Sequence, residues 1–272
     1  MDKLGCLDNT RIGIIGCGHL GQAIARLLLQ HGLKKQNLLI SYGGSTLTYQ
    51  TLETYGLAEC VATNENIIQL SDMIFLTVKP KDVAAFSRLH MPTGVLLISC
   101  MAGIPLDYLH RIFGRNVCRL MLSGPDTLLK NEGLAAMYPQ NERLAFLLNS
   151  TKLSILEIEK ENDLNTFTVG VCLPAALVML GIQAEQKEAI ARISADYPLM
   201  RRFYEWAQKV APDFDNSEAK GAYIGKMMTK GGVTEAIITS LENGTPLDGA
   251  LRAGIDRISQ ISKETGAFLR VK

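Results

Sequence analysis

Residues Thr10 to Leu29 of this 272-residue chain read TRIGIIGCGHLGQAIARLLL, an apolar β-rich run followed by a glycine-rich turn and the start of a helix. Gly16, Gly18 and Gly21 give the spacing GxGxxG directly after Ile12 to Ile15. The first glycine permits a tight turn, the second lets backbone approach a bound group, and the third allows close packing of helix on strand. Free N–H groups and the dipole at the helix N-terminus then favour a pyrophosphate, with Cys17, His19 and Leu20 as the intervening loop residues. A strand, turn and helix of this kind belong to a parallel α/β sheet that binds a dinucleotide.

The rest of the first 160 residues or so continues the alternation expected of βαβ units. Strands are expected at Leu38 to Ser41, Met73 to Val78, Val95 to Cys100, Cys118 to Met121, Leu134 to Tyr138 and Leu153 to Ile158, completing a sheet of about eight strands. Helical patterns run from about Thr46 to Tyr55 and near Leu106 to Phe113, with Pro92, Gly94, Gly114, Pro125 and Pro139 punctuating the connections.

After about Glu161 the β-branched runs stop. One long helix is expected at about Asp163 to Glu185, then helices at Glu188 to Val210, Ser217 to Thr229, Thr234 to Asn243 and Leu247 to Thr265. The fold class is therefore α/β: a Rossmann-type dinucleotide-binding domain over residues 1–160, followed by an all-α dimerisation domain over 161–272. The apolar run Phe167 to Ile182 is short for a membrane span and is interrupted by Gly170 and Pro174, so it reads as a buried helix. A helix apolar all round needs cover on every side, and a second subunit is the expected source.

Composition removes several function classes. A net charge of +1 with no Lys/Arg block gives no electrostatic footprint for nucleic acid. The first ten residues, MDKLGCLDNT, have no apolar core of a signal peptide, and Cys6, Cys17, Cys60, Cys100, Cys118 and Cys172 show no CxxC spacing. Reduced thiols in a cytoplasmic protein, without membrane attachment, are expected. His19, His31, His90 and His110 show no pairing with Cys or carboxylates, so no metal is expected.

An NAD site usually carries an acid at the end of the second strand, for the ribose 2′-OH. The stretch Ile40-Ser41-Tyr42-Gly43-Gly44-Ser45-Thr46 contains none, which favours NADP while leaving NAD open. Val78-Lys79-Pro80 and Ser99-Cys100-Met101-Ala102-Gly103 follow strands at the edge where a bound dinucleotide passes. Taken alone, Lys79 is an ordinary surface charge and Ala102-Gly103 an ordinary turn.

These segments together resemble the pyrroline-5-carboxylate reductase family: GCGHLG at 16 to 21, Asn64, SDMIFLTVKP at 71 to 80, ISCMAG at 98 to 103, GGVT at 231 to 234 and LENG at 241 to 244. The resemblance spans nearly the whole chain. It implies reduction of the cyclic imine 1-pyrroline-5-carboxylate to proline by NAD(P)H, in subunits that dimerise through C-terminal helices and often form decamers. It further implies that Asn64 and Val78 to Pro80 touch the cofactor and that Cys100, Met101 and Ala102 border the nicotinamide. On the substrate side it implies that backbone from Thr229 through Gly231 and Gly232 to Val233 receives the substrate carboxylate, and that the Thr234 hydroxyl lies near the imine nitrogen. Read without the resemblance, Gly231 to Thr234 is a helix start with an N-cap threonine.

The chain departs from the family in three places: Leu122-Ser123-Gly124-Pro125 where Asn-Thr-Pro is usual, Gly170-Val171-Cys172-Leu173-Pro174-Ala175-Ala176 for Ser-Gly-x-Gly-Pro-Ala-Tyr, and Lys230 for a proline. All three fall near the expected substrate pocket. Two other readings stay open: a divergent imine or ketoacid reductase, although neither Lys187 nor Lys220 is set as a catalytic lysine, and a non-catalytic dinucleotide-binding regulator. Cys17 and Cys172 read as packing residues.

Overall fold

The computed structural model describes residues 9–86, 90–181 and 184–270, with side chains of 84 and 265–270 excepted. Residues 1–8 of the stretch read above for a leader, Cys6 among them, and Ile182 at the end of the apolar run lie outside the described residues. The chain divides into two units, residues 1–161 and 162–272.

The first unit begins with β1 (Ile12–Ile15), α1 (His19–Gln30), β2 (Leu38–Ser41), α2 (Thr46–Thr54), α3 (Asn64–Leu70) and β3 (Met73–Leu76). It continues with β4 (Leu96–Ser99), α4 (Leu106–Phe113), β5 (Val117–Leu122), α5 (Pro125–Leu129), β6 (Leu134–Tyr138), α6 (Glu142–Asn149) and β7 (Ser154–Ile155). The sheet holds seven strands in the order β2-β1-β3-β4-β5-β6-β7, where about eight were expected. All neighbours are parallel except β5 and β6. Strands β1, β3 and β4 are buried at every position, so each reads as a continuous apolar run. Strand order turns about β1 and β3, the place where a doubly wound sheet opens a crevice at the carboxyl ends of its strands.

One buried ion pair closes this unit. Arg119 on β5 is 3 % exposed, and its Nη1 donates to Oε1 of Glu161 at 2.6 Å. The same oxygen accepts the backbone N–H of Leu106 at the start of α4, also at 2.6 Å. Burial lowers the Arg119 pKa, and the Glu161 carboxylate works against that shift, holding the guanidinium charged.

The second unit is helical: α7 (Asp163–Gly170), α8 (Leu173–Leu180), α9 (Ala184–Ser194), α10 (Met200–Val210), α11 (Ser217–Met227), α12 (Val233–Glu242) and α13 (Leu247–Arg270). The single long helix expected from Asp163 is in fact two. Pro174, in the first turn of α8, has no N–H for the Gly170 carbonyl, so α7 ends there while proline suits the new start. The pattern expected from Glu188 to Val210 is likewise split between α9 and α10, with Pro198 between them holding Tyr197 away from helical backbone. Gly170 lies under the Phe203 ring, where a Cβ would stand 2.2 Å from Cγ, and Phe203 meets Phe167 edge to face at 5.3 Å. The window Asp163–Leu180 is apolar enough to cross a membrane by composition, but 61% of it is buried within the structure, as in a core helix.

Candidate functional site

Strand register sets the first part of the site. Ile15 is level with Ser41 and with Leu76, and Leu76 is level with Ser99. The segments that begin at Gly16, Tyr42, Thr77 and Cys100 therefore leave the sheet side by side along one edge. Sequence reasoning marked residues in all four. The groove lined by Arg11, Gln36, Asn37, Leu39 and Leu70 lies by the strand starts, at the other end of β1.

The three glycines of the turn answer to three different demands. Gly16 has φ +89°, and a Cβ there would lie 2.5 Å from Cγ1 of Val78 and 2.9 Å from its backbone nitrogen. Gly21 faces the strand, with Oγ1 of Thr77 at 2.9 Å and Cγ2 of Ile14 at 3.2 Å from such a Cβ. Gly18 differs: the nearest atom to its Cβ position is the Gly16 carbonyl oxygen at 3.9 Å. Gly16 and Gly21 are thus required by the fold itself, whereas the space over Gly18 is open for a bound group. The helix behind it, α1, has no side-chain cap and no acid in its first turn. That arrangement fits a pyrophosphate.

The loop is braced from several sides. The Ser41 carbonyl accepts the N–H groups of Gly16 at 3.2 Å and Cys17 at 2.7 Å, and Gly18 N–H turns back on the Gly16 carbonyl at 2.7 Å. Thr77 Oγ1 donates to the Gly16 carbonyl at 2.9 Å, and Gln22 reaches the Cys17 carbonyl at 3.3 Å. Cys17 itself is fully buried, its thiol pushed up to about 12 chiefly by burial, so its side chain is core. His19 is exposed beside open Gly18, while Leu20 is half-buried against the apolar core.

Ser41 is also a brace in its side chain, which is 9% exposed and donates to Oδ1 of Asn64 at 2.6 Å. This bond fixes the Asn64 amide at the first turn of α3 with its NH2 directed away from Ser41. Tyr42 is half-buried and its ring lies 5.8 Å from that of Tyr49. Beyond it, Ser45 caps α2 by accepting Thr48 N–H, and the first turn of α2 has no acid. Val78 packs on Gly16, Lys79 is exposed, and Pro80 opens a short 3-10 turn. Cys100 is half-buried, Met101 is buried with its N–H on the Ser99 hydroxyl at 3.4 Å, and Ala102 is half-buried before Gly103 at φ +75°. Burial raises the Cys100 thiol pKa so far that it is a neutral apolar neighbour at physiological pH.

The remaining predicted residues lie in the second unit. Gly231 has φ +74°, Gly232 caps α12, Val233 is buried and Thr234 is half-buried in the helix's first turn. Thr229 and Lys230 are exposed. Sequence reasoning assigned Cys172 to packing, but its Sγ lies 3.3 Å from Oγ1 of Thr234 and 3.2 Å from the Thr168 carbonyl. Burial pushes this thiol up to about 11, with the Thr234 hydroxyl pulling it partly back, so it stays protonated and can donate. The backbone expected to receive a carboxylate is partly engaged already: Gly232 N–H donates to the Thr229 carbonyl at 2.8 Å and Gly231 N–H to Oε2 of Glu235 at 2.6 Å. Glu235 escaped notice, although an acid three residues after a helix-capping position is a known N-terminal signal. Ser123, at the first family departure, is 1% exposed, and its hydroxyl accepts Leu134 N–H at 3.0 Å and pairs with Thr127 at 2.7 Å. Its side chain therefore ties β5, α5 and β6 together.

Residues 11–103 match the family described as NADP oxidoreductase, coenzyme F420-dependent. Pyrroline-5-carboxylate reductase 2 of Bacillus subtilis is 23% identical over 241 residues, which cover 85% of this chain and 77% of that protein. Pyrroline-5-carboxylate reductase of Escherichia coli is 29% identical over 134 residues, 47% of this chain and 49% of its own length. Among solved structures, the Plasmodium falciparum pyrroline carboxylate reductase with NADP bound has a TM-score of 0.59 at 20% identity, covering 94% of this chain and 99% of that one. A glycerol-3-phosphate dehydrogenase from Coxiella burnetii has a TM-score of 0.52 at 12% identity, covering 97% of this chain and 89% of that one. The structural likenesses establish the fold: a mostly parallel, Rossmann-like sheet followed by an all-helical region. The chain is a distant relative of the pyrroline-5-carboxylate reductases, and its residues 11–103 fall in an NADP-dependent oxidoreductase family.

Proposed function

We propose that the chain is a pyrroline-5-carboxylate reductase, transferring hydride from NADPH to the cyclic imine 1-pyrroline-5-carboxylate to give proline. The observation that carries the cofactor half is Gly18, the one glycine of the turn with open space over it, at the uncapped and acid-free start of α1. When bound, reduced nicotinamide supplies the hydride. Gly18 and the first turn of α1 hold the pyrophosphate, with His19 beside it. Asn64, fixed by Ser41, offers its amide to the ribose, and Val78 to Pro80 flank the cofactor. The acid-free segment 42–46 and the start of α2 suit a 2′-phosphate better than a bare 2′-OH, which supports NADPH over NADH.

Thr234 supplies the proton to the imine nitrogen, directly or through one water, while Cys172 beside it keeps the hydroxyl oriented. Backbone from Thr229 to Val233 takes the substrate carboxylate. An iminium carbon is already electrophilic, so orientation carries much of the rate and little acid–base machinery is required. The experiment is steady-state kinetics of Thr234→Ala with 1-pyrroline-5-carboxylate: kcat falls by about 10²-fold or more, the usual worth of one positioned proton donor. A kcat equal to that of the parent removes Thr234 from the chemistry.

The assembly follows from the same reading. Helix α11 buries none of its 11 residues within its own chain, which supports a homodimer built through the C-terminal helices; association of such dimers into a decamer belongs to the same reading. Free thiols at Cys17, Cys60, Cys100, Cys118 and Cys172 suit work in the cytoplasm.

A further inference from the structure

The Gly231 peptide is held at both ends. Its carbonyl accepts Nε of Arg257 at 2.8 Å, and Arg257 is itself anchored by Glu264 at 2.9 Å and Gln260 at 3.3 Å. Its N–H donates to Oε2 of Glu235 at 2.6 Å, a charge-assisted bond. The other end of the peptide that carries the Gly231 carbonyl is also tied: Gly232 N–H meets the Thr229 carbonyl at 2.8 Å, and a Cβ on Gly232 would lie 2.8 Å from that same oxygen. The turn is held by these bonds, and one of the N–H groups proposed above to receive the substrate carboxylate already carries a carboxylate of the chain itself.

We infer that Glu235 determines specificity in the proposed reaction: its carboxylate and the ring carboxylate of the imine compete for the Gly231 N–H, so the chain penalises carboxylate-bearing cyclic imines relative to carboxylate-free ones. This inference rests on the reductase reading. A ring carboxylate can enter only by displacing Glu235 or by sitting beside it, and two like charges a few ångströms apart repel. A ring without the carboxylate meets neither obstacle.

The test compares parent and Glu235→Gln with 1-pyrroline-5-carboxylate and with 1-pyrroline, at saturating NADPH. The ratio of kcat/KM for the carboxylated over the carboxylate-free imine rises by about tenfold in the variant, the size expected for removing one near charge. An unchanged ratio overturns the inference and leaves the reductase reading standing. A calorimetric titration with L-proline separates the two further, since it needs no turnover. If the parent reduces neither imine, the reductase reading fails, and the titration decides alone: tighter proline binding in Glu235→Gln sustains the role of Glu235, whereas equal binding, or none by either protein, overturns it.

Discussion

Gly16 and Gly18 stand two residues apart in one turn and do different work. At Gly16 a side chain must adopt φ +89° and enter the space of Val78, so Gly16→Ala destabilises the first unit by about 1–3 kcal/mol. At Gly18 a methyl group meets nothing of the protein, so Gly18→Ala keeps its thermal midpoint but weakens NADPH binding by about tenfold or more, because the methyl occupies the pyrophosphate's approach. Thermal melts with parallel NADPH titrations check this. A large loss of stability at Gly18, or none at Gly16, contradicts the assignment of the two glycines. The sequence spacing named both residues, and only their surroundings separated a structural glycine from a ligand-facing one. Ser41 shows the reverse. Its carbonyl and hydroxyl hold Gly16, Cys17 and Asn64, a role set by residues 23 to 25 positions away that no local pattern announces.

Elements with strong apolar patterns were legible. The ranges expected at Leu38 to Ser41, Leu106 to Phe113 and Leu134 to Tyr138 are those the structure forms. Helices α3, α5 and α6 went unread because they are short and part polar, even though Thr63 and Asn141 cap two of them. The long helix expected after Asp163 failed for a local reason, the missing N–H of Pro174, which outweighed a continuous apolar run. The resulting bend lets α7 present Gly170 to Phe203 of α10. Gly170→Ala forces a Cβ into the ring space, and with no room for it the second unit loses about 1–3 kcal/mol. Urea unfolding of the variant checks this, and a midpoint equal to the parent's shows that Phe203 gives way freely.

Across the whole molecule, the buried thiols tie stability to pH. Cys17 and Cys118 are pushed up to about 12 and Cys172 to about 11, from an ordinary 9.0. Each folded-state pKa lies above its unfolded value, so above pH 9 the unfolded chain gives up its thiol protons first. Their contribution is full below pH 9 and is lost as the pH climbs toward 11 and 12. The melting temperature therefore falls more steeply above pH 9 in the parent than in Cys118→Ala, and equal slopes would show that the thiol has no part.

The fold by itself does not choose a substrate. Its likeness reaches a glycerol-3-phosphate dehydrogenase as well as pyrroline-5-carboxylate reductases. The deciding measurement is absorbance loss from NADPH mixed with the purified 272-residue chain and 1-pyrroline-5-carboxylate, run in parallel with NADH. Imine-dependent oxidation that yields proline, faster with NADPH than with NADH, is the predicted result. NADPH that binds but is never oxidised by the imine would contradict the reductase assignment.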